Sequence, residues 1–118
     1  PGEAAKQWLG DLYQDNRLVK NEFVLSGRKV DLSRITDIGL MTVEGENDDI
    51  TGRGQTRAAH ALCTGLPENM KVHYELPRVG HYGVFNGSRF RTEVAPRMLN
   101  FMRAQSNVKR RGKIRAVA

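Results

Sequence analysis

Two short apolar runs separated by a helix-like segment constrain the fold of this chain more than any other feature. The first run spans residues 38–43 and the second spans residues 71–76. Residues 55–64, between them, carry apolar side chains at helical spacing, and Gly65-Leu66-Pro67 ends that helix. A strand–helix–strand crossover makes its two strands parallel. The pattern therefore predicts an α/β fold with parallel strands flanked by helices.

A carboxylate and an imidazole follow these two runs directly. Asp48 lies in the acidic loop 44–49 after the first run, and His81 lies in the glycine-rich loop 79–83 after the second. Parallel strands end at the same sheet edge, where open α/β sheets place their sites. We therefore expect Asp48 and His81 to lie close together, with His81 as a general base held by a carboxylate. Asp49 is the alternative to Asp48 as that carboxylate.

The same residues argue against a metal site. An EF-hand loop counted from Glu44 would need Gly at its sixth position, where Asp49 stands, and it lacks the liganding Glu at the twelfth. The three histidines are spaced by 13 and 8 positions, which matches no common ligand pattern. His60 and His73 are interpreted as ordinary surface or packed residues. The sequence therefore predicts neither a metal nor a cofactor.

The sequence contains no motif for a catalytic nucleophile. Neither Gly-x-Ser-x-Gly nor Gly-x-Cys-x-Gly occurs in it. The one cysteine, Cys63, falls late in the predicted helix and is interpreted as a packed, inert thiol. In α/β-hydrolases the chain order is nucleophile, acid, histidine, so an acid and a histidine alone indicate a C-terminal half. We expect the nucleophile upstream of Pro1.

The net charge of +6 is concentrated at the C-terminal end. Six basic residues and no acidic one follow Met102: Arg103, Lys109, Arg110, Arg111, Lys113 and Arg115. We interpret residues 105–118 as a flexible basic tail, with an anchor for nucleic acid or lipid headgroups as the alternative. No aromatic side chains interleave with these charges to stack on bases, so a nucleic-acid partner is not favoured.

The remaining elements are a helix over residues 3–15, a hairpin over residues 23–32 and a last helix containing Val94 and Phe101. Pro96 is expected to kink that last helix or to mark its start. No apolar run is long enough to span a bilayer. The absence of a secretory signal, together with the single cysteine, favours a cytoplasmic location.

Two loop motifs resemble a known family. The stretches Val43-Glu44-Gly45-Glu46-Asn47-Asp48-Asp49-Ile50 and Val79-Gly80-His81-Tyr82-Gly83-Val84-Phe85-Asn86-Gly87 resemble the C-terminal region of intracellular poly(3-hydroxybutyrate) depolymerases, and the match extends over roughly residues 3–104. The resemblance implies the C-terminal half of an α/β-hydrolase fold, with residues 1–104 as part of the catalytic domain. It also implies a triad in which Asp48 is the acid, His81 is the base and an upstream Cys or Ser is the nucleophile.

The function expected from this resemblance is hydrolysis of intracellular poly(3-hydroxybutyrate) by a carboxylic ester hydrolase. The expected partners are the polyhydroxyalkanoate polymer or granule and the N-terminal half of the same enzyme. This segment alone is expected to be inactive, because it lacks the nucleophile. The alternatives are a related polyhydroxyalkanoate synthase or other esterase of the same fold, and a non-enzymatic binding module that uses its basic residues.

Overall fold

The structure is a computed structural model that describes the backbone of residues 2–115 and the side chains of residues 2–106. The α-helices are α1 (Gly2–Trp8), α2 (Ala58–Leu62), α3 (Gly87–Arg89) and α4 (Ala95–Arg115). The strands are β1 (Val24–Leu25), β2 (Arg28–Lys29), β3 (Leu40–Gly45) and β4 (Lys71–Leu76). Short 3₁₀ turns cover Leu32–Arg34, Glu68–Met70 and His81–Val84, and π-helical turns cover Leu9–Gln14 and Phe90–Val94.

Strands β3 and β4 form a parallel pair in register from Leu40 opposite Lys71 to Gly45 opposite Leu76. This confirms the predicted parallel crossover, and β4 has the predicted bounds. Strand β3, however, begins and ends two residues later than predicted. The predicted strand is the apolar run 38–43 alone, so Glu44 falls in the acidic loop that follows it. Its carboxylate is buried here with hydrogen-bond donors around it, which allows the strand to continue through it.

One face of this pair packs on the last helical segment of the chain. The Arg97 guanidinium lies 4.1 Å from the centre of the Tyr74 ring, and the Tyr74 hydroxyl donates to Glu93 at 2.9 Å. Leu76 and Val94 are fully buried. Apolar burial and a cation–π contact therefore hold β4 against α4 and the turn before it.

The opposite face of the pair is polar. The Thr42 hydroxyl lies 2.8 Å from Nε2 of His60 on α2 and 2.9 Å from Nδ1 of His73 on β4. Next along the strands, Arg53 makes two hydrogen bonds of 2.6 and 2.7 Å to Glu75. His60 and His73 are thus packed residues that share a polar network, which the sequence did not predict.

Helix α2 is shorter than the predicted helix 55–64. The Glu44 carboxylate accepts from the backbone N–H groups of Gly54 at 2.7 Å and Thr56 at 3.3 Å. These contacts fall in the turns that run up to Arg57, before α2 begins. Beyond the helix, the thiol of Cys63 is buried among apolar neighbours.

The N-terminal elements follow the prediction with one difference. Hairpin β1–β2 turns at Ser26 and Gly27, whose φ angles are 50° and 74°, as a two-residue turn between antiparallel strands requires. The predicted helix 3–15 is α-helical only to Trp8 and then widens into a π-helical turn. Its apolar side chains Trp8, Leu9 and Tyr13 are exposed.

The C-terminal helical segment begins at Gly87, before Pro96. The π-helical turn Phe90–Val94 directly precedes α4, and Pro96 is the second residue of α4. A proline ring clashes with the carbonyl four residues earlier in a regular helix. The wider turn relieves that clash without ending the helix.

Part of the predicted basic tail falls outside the described side chains. The backbone of α4 continues to Arg115, while the side chains from residue 107 onward and residues 116–118 lie outside the description. The flexible tail over residues 105–118 stays a prediction. Among residues 2–115, no helix combines the length and the apolar character that crossing a lipid bilayer requires.

The free edge of β3 leads to a prediction about association. Within the described residues, β3 pairs only with β4, and an unpaired strand edge is a template for another chain. We expect the purified 118-residue chain to self-associate as its concentration rises, and Ile38→Lys to reduce this, because a charge beside an edge strand opposes pairing. Ile50→Lys is the matched control, since both isoleucines are 62% exposed. Light scattering that finds a monodisperse monomer at all concentrations would contradict the prediction.

The polar face leads to a prediction about stability. Burial, and then the charge of His73, hold the pKa of His60 below its ordinary value of 6.5. The unfolded chain therefore binds more protons than the folded chain just below pH 6.5. The free energy of unfolding should fall as pH drops below that value, by at most about 1.4 kcal/mol per pH unit for one proton. His60→Gln should flatten this slope when the free energy of unfolding is measured in urea between pH 7.5 and 5. If the free energies of the two proteins change equally with pH, His60 is not the group responsible.

Candidate functional site

Asp48 and His81 meet where the loops after β3 and β4 come together. His81 Nδ1 lies 2.9 Å from Asp48 Oδ2, although the two residues are 33 positions apart. The Asp48 side chain is 3% exposed and the His81 side chain is 24% exposed. The carboxylate is thus sheltered from water while the imidazole keeps one accessible side.

Backbone donors fix the other oxygen of Asp48. Asp48 Oδ1 accepts from the N–H groups of Ile50 at 3.0 Å and Thr51 at 2.7 Å. Burial acts to raise the pKa of Asp48, but the Thr51 and Ile50 donors and the contact with His81 outweigh it, and the pKa lies below its ordinary value of 3.8. Asp48 is therefore ionised at neutral pH. Asp49 is exposed, so the structure brings Asp48 rather than its neighbour to His81.

Backbone hydrogen bonds hold the two loops together. The N–H of Glu46 donates to the Leu76 carbonyl and the N–H of Asn47 donates to the Val79 carbonyl, both at 3.0 Å. In return, the N–H of Arg78 donates to Glu46 Oε2 at 2.7 Å. Gly45 lies so close to the Val79 carbonyl that a Cβ atom at this position would overlap it. The small residue at the end of β3 is thus a condition for the close approach of the loops.

A tight turn presents His81. It begins the 3₁₀ turn His81–Val84, whose Gly83 N–H donates to the Gly80 carbonyl at 3.1 Å. The rings of Tyr82 and Phe85 contact the His81 ring edge-on, with centroid distances of 5.6 and 5.4 Å. Both aromatic side chains are exposed beside the imidazole. The imidazole therefore lies beside an apolar surface.

The geometry defines what this pair can do chemically. When neutral, His81 donates its Nδ1 proton to the ionised Asp48, which leaves the lone pair on Nε2 free to accept a proton. A carboxylate in this position also stabilises the imidazolium that forms after proton uptake. Within residues 2–106, no group of three His, Cys, Asp or Glu side chains is arranged to hold a metal ion.

The residue that sequence reasoning missed is Glu44. The predicted strand bounds assign it to the acidic loop, yet its side chain is 1% exposed, which is as buried as that of Asp48. A signal was present, because Thr42 and Glu44 alternate with apolar residues along β3, and His73 and Glu75 do the same along β4. Period-two alternation places such residues on one face of a sheet.

Several curated relatives have sequences similar to large parts of this chain. It is 29% identical over 101 residues to the poly(3-hydroxyalkanoate) polymerase subunit PhaC of Synechocystis sp., which covers 86% of this chain and 26% of the relative. The protein of the same name from Allochromatium vinosum is 28% identical over 95 residues, which cover 80% of this chain and 25% of the relative. The protein of that name from Haloarcula marismortui is 49% identical over 49 residues, which cover 42% of this chain and 10% of the relative. The chain thus spans about a quarter or less of these relatives' lengths.

These relatives correct the expected activity. The loop motifs were interpreted as those of a depolymerase that hydrolyses poly(3-hydroxybutyrate), and that prediction is wrong, because the relatives are named as polymerase subunits. The alternative of a related synthase agrees with them better.

The family itself is established over most of the chain. No solved structure matches it. A family model described as "PHB de-polymerase C-terminus" matches residues 5–106, which include both strands and both loops of the site. The chain therefore belongs to the PHB de-polymerase C-terminus family.

Proposed function

We propose that this chain is the acid–base segment of an acyltransferase that builds polyhydroxyalkanoate, with Asp48 and His81 as members of a catalytic triad. The observation that carries the proposal is the 2.9 Å contact between His81 Nδ1 and a buried, doubly anchored Asp48 carboxylate. The polymerase names of the relatives support chain growth as the direction of the reaction. The nucleophile, a Cys or a Ser, is supplied by another part of the enzyme.

In the first step His81 acts as a general base. Its Nε2 takes the proton of the nucleophile, which attacks the carbonyl of an activated 3-hydroxyacyl donor and expels the leaving group. The proton passes from His81 to that leaving group, and the acyl chain remains on the enzyme as an ester or thioester. Asp48 keeps the proton of the neutral ring on Nδ1 and stabilises the imidazolium formed in transit.

In the second step the same imidazole activates the acceptor. The terminal hydroxyl of a growing chain gives its proton to Nε2 and attacks the acyl-enzyme carbonyl. A new ester bond forms, and the nucleophile leaves with the proton that His81 returns. Each cycle lengthens the chain by one unit and regenerates the neutral histidine.

The proposal also covers the fold and the setting of the enzyme. The parallel pair β3–β4 would be part of the larger sheet of an α/β-hydrolase fold, with the rest of the enzyme continuing it at the free edge of β3. Residues 1–104 would belong to that catalytic domain. The polymer or granule is the proposed partner, since the exposed Tyr82 and Phe85 rings beside His81 offer an apolar surface to it.

The Asp48 assignment is tested by a pair of neighbouring substitutions in the complete enzyme. Asp48→Asn should lower kcat on the order of 10⁴-fold, because an amide stabilises neither the correct tautomer nor the imidazolium. Asp49→Asn, at the exposed next position, should change kcat by no more than about twofold. The measurement is initial-rate kinetics on variants with unchanged unfolding curves. Equal losses from both substitutions would remove Asp48 from the triad.

The direction of the reaction is tested with a defined donor. A 3-hydroxybutyryl thioester incubated with the complete enzyme and a short hydroxyl-terminated oligomer should yield longer oligomers, and one thiol should be released for each added unit. Mass spectrometry and thiol titration give the two counts. Release of free hydroxy acid without chain growth would contradict the acyltransferase. The purified 118-residue chain, which has no nucleophile motif, should be inactive in both assays.

A further inference from the structure

The carboxylate of Glu44 lies close to the site but takes no part in the acid–base pair. Its side chain is 1% exposed. Oε1 accepts from the Gly54 N–H at 2.7 Å, and Oε2 accepts from the Thr56 hydroxyl at 2.8 Å and from the Thr56 N–H at 3.3 Å. His73 Nε2 lies 3.5 Å from Oε1. A buried charge is tolerated only when it is satisfied in this way.

These contacts close the loop that carries Asp48. The loop leaves β3 at Gly45, whose carbonyl accepts the Asp48 N–H at 3.2 Å, and its far end returns to Glu44 through Gly54 and Thr56. Asp48 and its two backbone donors, Ile50 and Thr51, all lie between these fixed ends. The Glu44 side chain therefore anchors the far end of the segment that holds the acid.

The donors around Glu44 require a carboxylate. The groups from Gly54 and Thr56 are all donors, and an ionised carboxylate is an acceptor through both oxygens. Burial acts to raise the pKa of Glu44, but the donors of Thr56 and Gly54 and the nearby His73 outweigh it, and the pKa lies below its ordinary value of 4.5. In either orientation, an amide at this position would turn its NH₂ group toward a backbone N–H, that of Gly54 or that of Thr56. The loop would then lose one of its anchors.

We propose that Glu44 is a positioning residue that holds the 45–54 loop and thereby keeps Asp48 aligned with His81. It contacts neither the proposed substrate nor the acid–base pair and acts only through the loop. This inference rests on the proposed roles of Asp48 and His81. A displacement of about 1 Å in a catalytic group can lower turnover about 10²-fold, which sets the size of the expected effect.

The test compares Glu44→Gln with Glu75→Gln in the complete enzyme. Glu75 is opposite Glu44 in the register, and it contacts the same segment through Arg53, but it accepts from none of the loop-closing donors. Glu44→Gln should lower kcat by about 10- to 100-fold with KM within about twofold. Glu75→Gln should change neither by more than about twofold. Equal effects from both variants would overturn the proposal.

A spectroscopic measurement separates positioning from general destabilisation. The proton shared by His81 Nδ1 and Asp48 should give a downfield ¹H NMR signal at low temperature. Glu44→Gln should broaden or remove this signal in folded protein, whereas Glu75→Gln should keep it. If Glu44→Gln lowers only the folded fraction, and the folded molecules keep both the signal and kcat, the residue is structural and the proposal is wrong.

Thr56 provides a second series for the case in which Glu44→Gln does not fold. Thr56→Val removes the hydroxyl donor to Oε2 at nearly constant volume, and Thr56→Ser retains it. Thr56→Val should lower kcat about 3- to 10-fold and Thr56→Ser should restore it. Failure of this pattern while Asp48→Asn still abolishes turnover overturns the role of Glu44 alone. If Asp48→Asn leaves turnover unchanged, the proposed function is overturned instead.

Discussion

The parallel pairing of β3 with β4 is the constraint on which the rest of the site depends. Because the register ends with Gly45 opposite Leu76, the two following loops leave the sheet side by side and in the same direction. Backbone hydrogen bonds then join them within a few residues of the strand ends. In an antiparallel pair, the loops after the two strands would leave from opposite ends of the sheet. Asp48 and His81 would then lie at opposite ends and could not make their contact.

The two faces of this small sheet have different physical tasks. The face toward α4 excludes water and supplies apolar burial through Leu76 and Val94. The face toward α2 uses hydrogen bonds among Thr42, His60 and His73, whose directional character fixes the helix in one position. The polar face therefore holds the segment after the Asp48 loop in register with the strands.

The sequence was sufficient for the crossover, for the bounds of β4 and for the meeting of Asp48 and His81, because these depend on local periodicity and on the handedness of chain connections. It was insufficient for Glu44 and for the start of α2. Those two features meet in one set of contacts, since the buried Glu44 carboxylate accepts from Gly54 and Thr56 in the turns that precede α2. Alternation along β3 indicates the face on which Glu44 lies, but its partners, 10 and 12 positions further along the chain, have no local signature. The choice between Asp48 and Asp49 likewise needed the backbone path of the loop.

The wrong prediction of depolymerase activity has a chemical explanation. An acyl-enzyme can be resolved by water or by the hydroxyl of another chain, and the same histidine activates either one. In the proposed mechanism, the loops around Asp48 and His81 supply the proton-transfer pair, and such a pair is equally suited to both outcomes. The outcome depends on which nucleophile reaches the acyl carbonyl, and therefore on the groups that line the approach to His81 Nε2. The exposed rings of Tyr82 and Phe85 contact the His81 ring, so in the proposed enzyme they would offer an apolar surface to a polymer chain beside this imidazole.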